Sequence, residues 1–390
     1  MKAPSSQPRV LLIVLSSFFV LPCSLFPQGS LTPPGAPAPT MKTLDQVEAR
    51  TAIDPNQPGF AFPYTISTPG SYYLAANLAV TGGNAIVIGV SNVTLDLNGF
   101  TISSSASPAG GTAIAPGGFL TDMAILNGHI AGSFQHGIRY SGAISQLKNV
   151  RVEGISVSGC SGDGINLSNF SSIVIDHCTV QQIGAQGIVG GSVNNSVAEN
   201  CGSTGITAKS ATNCVGGCSA SGRGVYAKTA VNCVGTSATG TGLDADSATG
   251  CRGESTAIGS TGTGLNAVTA TGCYGSNSSG SGTGLSATSA NGCYGFSAGS
   301  ATGLSAIIAN NCYGVSISAR GLDSMVATSC YGSCNSIFNG LRATSIASNC
   351  YGFSNGGDAI QAYIAVTCLG ETSPPNGNSV IANFKYNMPP

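Results

Sequence analysis

Residues 284–295 read GLSATSANGCYG, residues 264–275 read GLNAVTATGCYG, and residues 303–314 read GLSAIIANNCYG. Glycine, leucine, alanine, cysteine and tyrosine return at a fixed offset every nineteen or twenty residues. A period of this length marks a stacked repeat, in which each unit buries its apolar face only against its neighbours. Outward from this phrase, a small residue followed by Ile, Leu or Val recurs from Ile86 to Ile360, which gives fourteen coils. A second column follows in each coil and is Gly or Asn at eleven of fourteen positions, Gly128, Asn200 and Gly292 among them. Gly and Asn tolerate positive φ best, so each coil is expected to turn a corner there.

The next column is Cys178, Cys201, Cys214, Cys233, Cys251, Cys273, Cys293, Cys312, Cys330, Cys350 and Cys368. In a strand, neighbours point to opposite faces. The cysteines therefore point inward and the residues after them outward. In the later coils those outward residues are Tyr274, Tyr294, Tyr313, Tyr331 and Tyr351, each followed by an inward Gly. From Ile86 to Ile188 the gap between the first two columns is twelve to sixteen residues, and from Ile206 onward it is seven or eight. This spacing predicts wide coils over 85–204 and narrow coils over 205–372. The narrow coils fill their interior with one Leu, two Ala, one Cys and one Gly.

Only 7% of the 390 residues are charged, and the formal net charge is −1. Such a chain has no field to attract nucleic acid or anionic lipid. Lys2 and Arg9 precede the apolar run VLLIVLSSFFVL (10–21), which has the length of a signal-peptide core and is short for a membrane span. The reading is a signal peptide over 1–26, cleaved between 22 and 30, and a secreted or periplasmic monomer without a membrane anchor. PQGSLTPPGAPAPT (27–40) is a Pro/Gly-rich tether. TMKTLDQVEAR (40–50) reads as a short capping helix within an N-terminal cap over 41–84, and 373–390 as a C-terminal cap or tail.

NVTLDLNGFTI (92–102), with its strand, Asn/Gly corner and strand, and the stacked columns resemble secreted right-handed parallel β-helix proteins of the pectin-lyase-like superfamily. The resemblance covers roughly residues 60–385 and implies an all-β, right-handed parallel β-helix (a solenoid). A left-handed β-helix is the competing form for the narrow part. The resemblance is specific for fold and weak for function, because the superfamily includes lyases, hydrolases and adhesins.

Fifteen cysteines in an exported chain ordinarily suggest disulfides. Stacking at ~4.8 Å per coil instead places successive cysteines too far apart for the ~3.8 Å Cβ separation of a disulfide. The expectation is a ladder of free thiols, with scattered disulfides as the alternative. Cys214/Cys218 and Cys330/Cys334 are too extended to bond internally, and no C-x2-C or nearby His completes a tetrahedral metal set.

Chemistry concentrates in FQHGIRY (134–140) over SGDGINL (161–167), where register stacks His136 on Asp163 and Arg139 on Asn166. A His, an Arg and an Asp together could bind a sugar acid or move a proton. GDGIN (162–166) resembles part of the Asn-Thr-Asp-Gly segment of polygalacturonase-type hydrolases, and carried over, Asp163 would match its Asp. The next coil, AQGIVG, offers no paired carboxylate, no Gly-His-Gly or Arg-x-Lys segment exists, and D-G-I also serves β-helices as a plain turn. Glu153, Asp176 and Glu199 precede corner positions 23 residues apart, either as a Ca²⁺ site or as solvated acids beside Arg151 and His177. The tyrosine column could stack on glycan or merely on itself. The expectation is thus an exported β-helix with a binding or structural role toward polysaccharide or cell-surface glycan. The alternative is a polysaccharide lyase or glycoside hydrolase using Asp163, His136 and Arg139, and an ice-binding solenoid is a minor alternative.

Overall fold

The computed structural model describes residues 49–142, 147–168, 170–278, 280–373 and 379–388. The leader, the tether and most of the expected capping helix lie outside the described residues. The rest is an all-β parallel solenoid of about sixteen turns, with no helix among the described residues. Every strand pairing is parallel and joins one coil to the next. The fourteen-coil reading gains a turn at each end. Tyr64 stacks beneath Ile86, and Val380 follows Ile360. The expected C-terminal tail therefore contains a further strand, Val380–Tyr386.

Narrowing begins one coil earlier than the sequence spacing indicates. Ile165–Asn166 and Ile173–Asp176 are separate strands, and both pair with the single strand Ile188–Asn194. Loss of the connection between them fuses two short strands into one of seven residues. From there each turn has two strands, exemplified by Leu285–Asn291 and Tyr294–Ser297. The corner of this first narrow coil is Asn195, with φ of 46°, and Val215 N–H bonds to Ser196 carbonyl just beyond it. Asn200 also has positive φ, at 54°, but belongs to a different bend. Two asparagines five residues apart made the column ambiguous, and the wide-coil spacing selected the wrong one. In the same way Asn127, with φ of 53°, and not Gly128, turns the earlier corner.

This shift corrects the cysteine column. Ser196 takes the place given to Cys201, and its Oγ accepts the Cys178 N–H at 3.1 Å. Cys201 instead stacks on Ile183 and Cys218. Nine cysteines from Cys214 to Cys368 then follow without interruption, each thiol donating to the backbone carbonyl two residues before it. All fourteen cysteines of the described residues are buried and free, as the ladder reading expects and the disulfide alternative does not.

A second inward column escaped the sequence reading. Cys218, Ser237, Ser255, Asn277, Ser297, Ser316, Cys334 and Ser354 stack in register, and all are buried. They close the turn that leads to the next coil. Ser237 Oγ donates to Gly222 carbonyl at 2.7 Å and accepts Gly240 N–H at 3.0 Å, and Ser354 does the same with Phe338 and Gly357. Buried backbone groups need such partners. The column also explains the C-x3-C pairs, whose members belong to two different inward columns.

Candidate functional site

Four places carry the chemistry expected from the sequence or revealed by the fold. On the wide coils, Ile138 pairs with Ile165 and Arg139 with Asn166, so His136 stacks on Asp163. The quartet does assemble. His136 Nδ1 accepts the backbone N–H of Asp163 at 2.9 Å. Asp163 accepts from Asn166 Nδ2 at 3.0 Å and from Gln186 N–H at 3.3 Å, with Arg139 Nη1 3.6 Å away. Asp163 and His136 are both buried, and burial, then the Arg139 charge, hold the imidazole pKa below its usual value against the pull of Asp163.

These contacts decide what the quartet can do. Neutral imidazole has one acceptor nitrogen. Nδ1 faces the Asp163 backbone N–H and Nε2 faces the Arg139 guanidinium, so both ring nitrogens are turned to partners within the quartet. Asp163 accepts a hydrogen bond on each oxygen, and among the described residues no second carboxylate joins it. A glycosidase needs two carboxylates. The knot ties the turns of three coils together.

At the corner, Glu153 and Asp176 are in register, and one oxygen of each lies within 4.8 Å of a His177 ring nitrogen. Glu199 does not join them, because it pairs with Gln181 on another strand. The correction has the same cause as Asn200, since the coil after Asp176 is narrow and Asn194 takes the stacked place. Each remaining acid has a local partner. Arg151 Nη2 reaches Glu153 at 2.6 Å, and Asp176 Oδ1 receives His177 at 3.0 Å and Asn195 Nδ2 at 3.1 Å. Two carboxylates and an imidazole are a poor set for Ca²⁺, which takes six to eight oxygens.

The tyrosines form an uninterrupted stack. Successive centroids from Tyr274 to Tyr351 are 5.3, 5.2, 4.1 and 5.2 Å apart, with planes within 4–13° of parallel. Arg252 covers the outer face of Tyr274 at 5.1 Å. The ring faces are thus spent on one another, and solvent meets edges and hydroxyls. Stacking on a sugar requires a free face, which this column does not present between its ends.

A fourth place was not singled out in the sequence. On the strands Leu341–Ser348, Ile360–Val366 and Val380–Tyr386, a depression of about 300 Å³ is lined by Arg342, Thr344, Gln361, Tyr363 and Asn383, among others. Tyr363 is half exposed and meets Phe384 edge to face at 5.7 Å. Arg342 is held in place by a two-pronged pair with Asp323 at 2.8 and 2.9 Å. The signal available in the sequence was that Arg342 and Gln361 each follow the inward Leu or Ile of their coil and so face outward. The aromatic two residues beyond Gln361 had no repeat to flag it. The chain matches no family model, no curated protein and no solved structure.

Proposed function

We propose that the protein is an exported solenoid of the pectin-lyase-like kind with a binding role toward glycan outside the cytoplasm. Export rests on the basic and apolar leader pattern at residues 2–21. The observation that carries glycan binding is the depression beside Tyr363. There an accessible ring lies next to a guanidinium, two amides and a hydroxyl, all on one rigid sheet. Sugars are gripped by this pairing of an apolar ring with planar hydrogen-bonding groups. The flat strand face also suits a polymer, since successive rungs repeat at ~4.8 Å.

A polysaccharide lyase or hydrolase near Asp163 is the second reading, favoured only by the clustering of His136, Arg139 and Asp163. Their mutual hydrogen bonds speak for a structural knot. A glycan array with the wild type, Tyr363→Ala and Gln361→Ala tests the first reading. Binding by the wild type and its loss in both variants is expected. No binding by the wild type, or equal binding by all three, overturns it. Cleavage of any polysaccharide that disappears in Asp163→Ala would favour the second.

A further inference from the structure

One outward column of the narrow coils changes its chemistry partway along the solenoid. Ser210, Thr229, Ser247, Thr269 and Ser289 stack in register on five successive coils. The next five coils carry Ile308, Val326, Ile346, Ile364 and Phe384 at the same place. The coil closes with either set, so closure does not demand the apolar residues. Ile307, Met325 and Tyr363, each one residue earlier on its strand, widen the stripe. Ile307, Ile308, Met325, Tyr363 and Phe384 are each 41–50% exposed.

The stripe is long and narrow. Four rises of ~4.8 Å make it about 19 Å long, and two adjacent side chains make it about 10 Å wide. That is roughly 200 Å², a quarter of the ~800 Å² that each partner of a stable protein complex buries. A second copy of the chain is therefore poorly matched to it, and a single extended polymer is well matched. Polar residues border it on both sides, Arg342 and Gln361 on one and Asn310, Thr328 and Ser348 on the other. On the four strands from Leu304 to Val366 the charged residues are Asp323 and Arg342, which pair at 2.8 and 2.9 Å. At its C-terminal end the stripe runs into the ring pair of Tyr363 and Phe384 and the depression beside it.

We infer, resting on the glycan reading of that depression, that the stripe binds a neutral ribbon polysaccharide of the β-1,4-linked glucan or chitin class. The polymer lies along the solenoid axis, from Tyr363 toward Ile308. The sugars of such a ribbon turn their hydroxyls to its edges and their C–H groups to its faces. An apolar strip with hydrogen-bonding borders is complementary to that cross-section. An extended ribbon also advances about one sugar per rung of ~4.8 Å, so successive rungs can repeat the same contact. The pairing of Asp323 with Arg342 leaves no free charge on these four strands to select an acidic polymer. Arg320, on the turn before, brings a second guanidinium to Asp323 at 3.6 Å, which makes an acidic polymer the proper comparison.

The test measures depletion of the purified full chain from solution by insoluble cellulose and chitin, beside its binding of a short cello- or chito-oligosaccharide. The double variant Ile308→Ser/Val326→Ser gives two coils the residue that Ser289 already holds one rung earlier, and circular dichroism checks its fold. The wild type should bind one of the two polymers, and the double variant at least about 10-fold more weakly. Both should bind the short oligosaccharide equally, since it fills only the depression at Tyr363. Ser289→Ile, which lengthens the stripe by a rung, should bind the polymer more tightly than the wild type. Three results overturn the inference while the glycan reading stands: oligosaccharide binding without polymer binding, equal polymer binding by the wild type and a folded double variant, or preference for soluble polygalacturonate over both polymers. A wild-type dimer in sedimentation that the double variant dissociates also overturns it, because the stripe then seats a second copy. Failure to bind any glycan overturns both readings.

Discussion

Gly295 illustrates how little room a narrow coil leaves. A Cβ built on it would lie 2.3 Å from the carbonyl oxygen of Gly303, a backbone atom that cannot move aside. Gly284 meets the backbone of Phe296 in the same way. The two walls of the solenoid touch here, backbone to backbone. Gly295→Ala is therefore expected to destabilise the protein by about 1–3 kcal/mol or more, the usual cost of overpacking. Urea unfolding followed by circular dichroism measures it. That Gly295 points inward was legible, since period-2 alternation after Cys293 requires it. The partner it presses on was not, because contact across the coil depends on how the next turn closes. Asn195 and Asn200 mark the limit at this scale. Both carry the same conformational signal, and only the pairing of Asp176 with Asn194 decides between them.

At the level of the element, the tyrosine stack is an interaction within the sheet. Parallel pairing sets Tyr274, Tyr294, Tyr313, Tyr331 and Tyr351 in register, and the rings then have only one another to face. Tyr313 stacks on both sides, so Tyr313→Leu should cost about 1–3 kcal/mol, two pairs at ~0.5–1.5 each. It should leave glycan binding at Tyr363 unchanged. Titration gives an independent check. Burial, then the hydrogen bond the phenol donates to Tyr331, push Tyr313 up to about 12. The bond to Glu371, then burial, push Tyr351 up to about 12 as well. An unfolded tyrosine titrates at ~10. The folded state therefore holds these protons longer, and the stability they contribute is complete below pH ~10 and lost as pH rises through 12. Alkaline melting curves, read beside phenolate absorbance, should show that loss, and Tyr313→Phe should reduce it. The register of this column was readable from the repeat. Its energetic meaning was not, since a row of outward aromatics looks the same in sequence whether the faces are free or spent.

Over the whole molecule, the fold was legible because each coil must repeat the same solution. A line of side chains at fixed offset exposes the architecture before any coordinates do. The quartet at His136 and Asp163 was legible for the same reason, being a matter of register. What register could not convey was that each polar atom is already bonded within the knot. The depression at Tyr363 was not legible, because it departs from the repeat that made everything else readable. The serine column was hidden differently, since a buried Ser in a Ser-rich chain has no compositional contrast.

The central claim is that this thin solenoid is built around one continuous line of reduced sulfur. Denaturing the purified protein without reductant, alkylating it and measuring its mass tests that claim most directly. The account predicts that all fourteen cysteines from Cys160 to Cys368 carry the label. A mass deficit corresponding to pairs of unlabelled cysteines, recovered only after reduction, would contradict it.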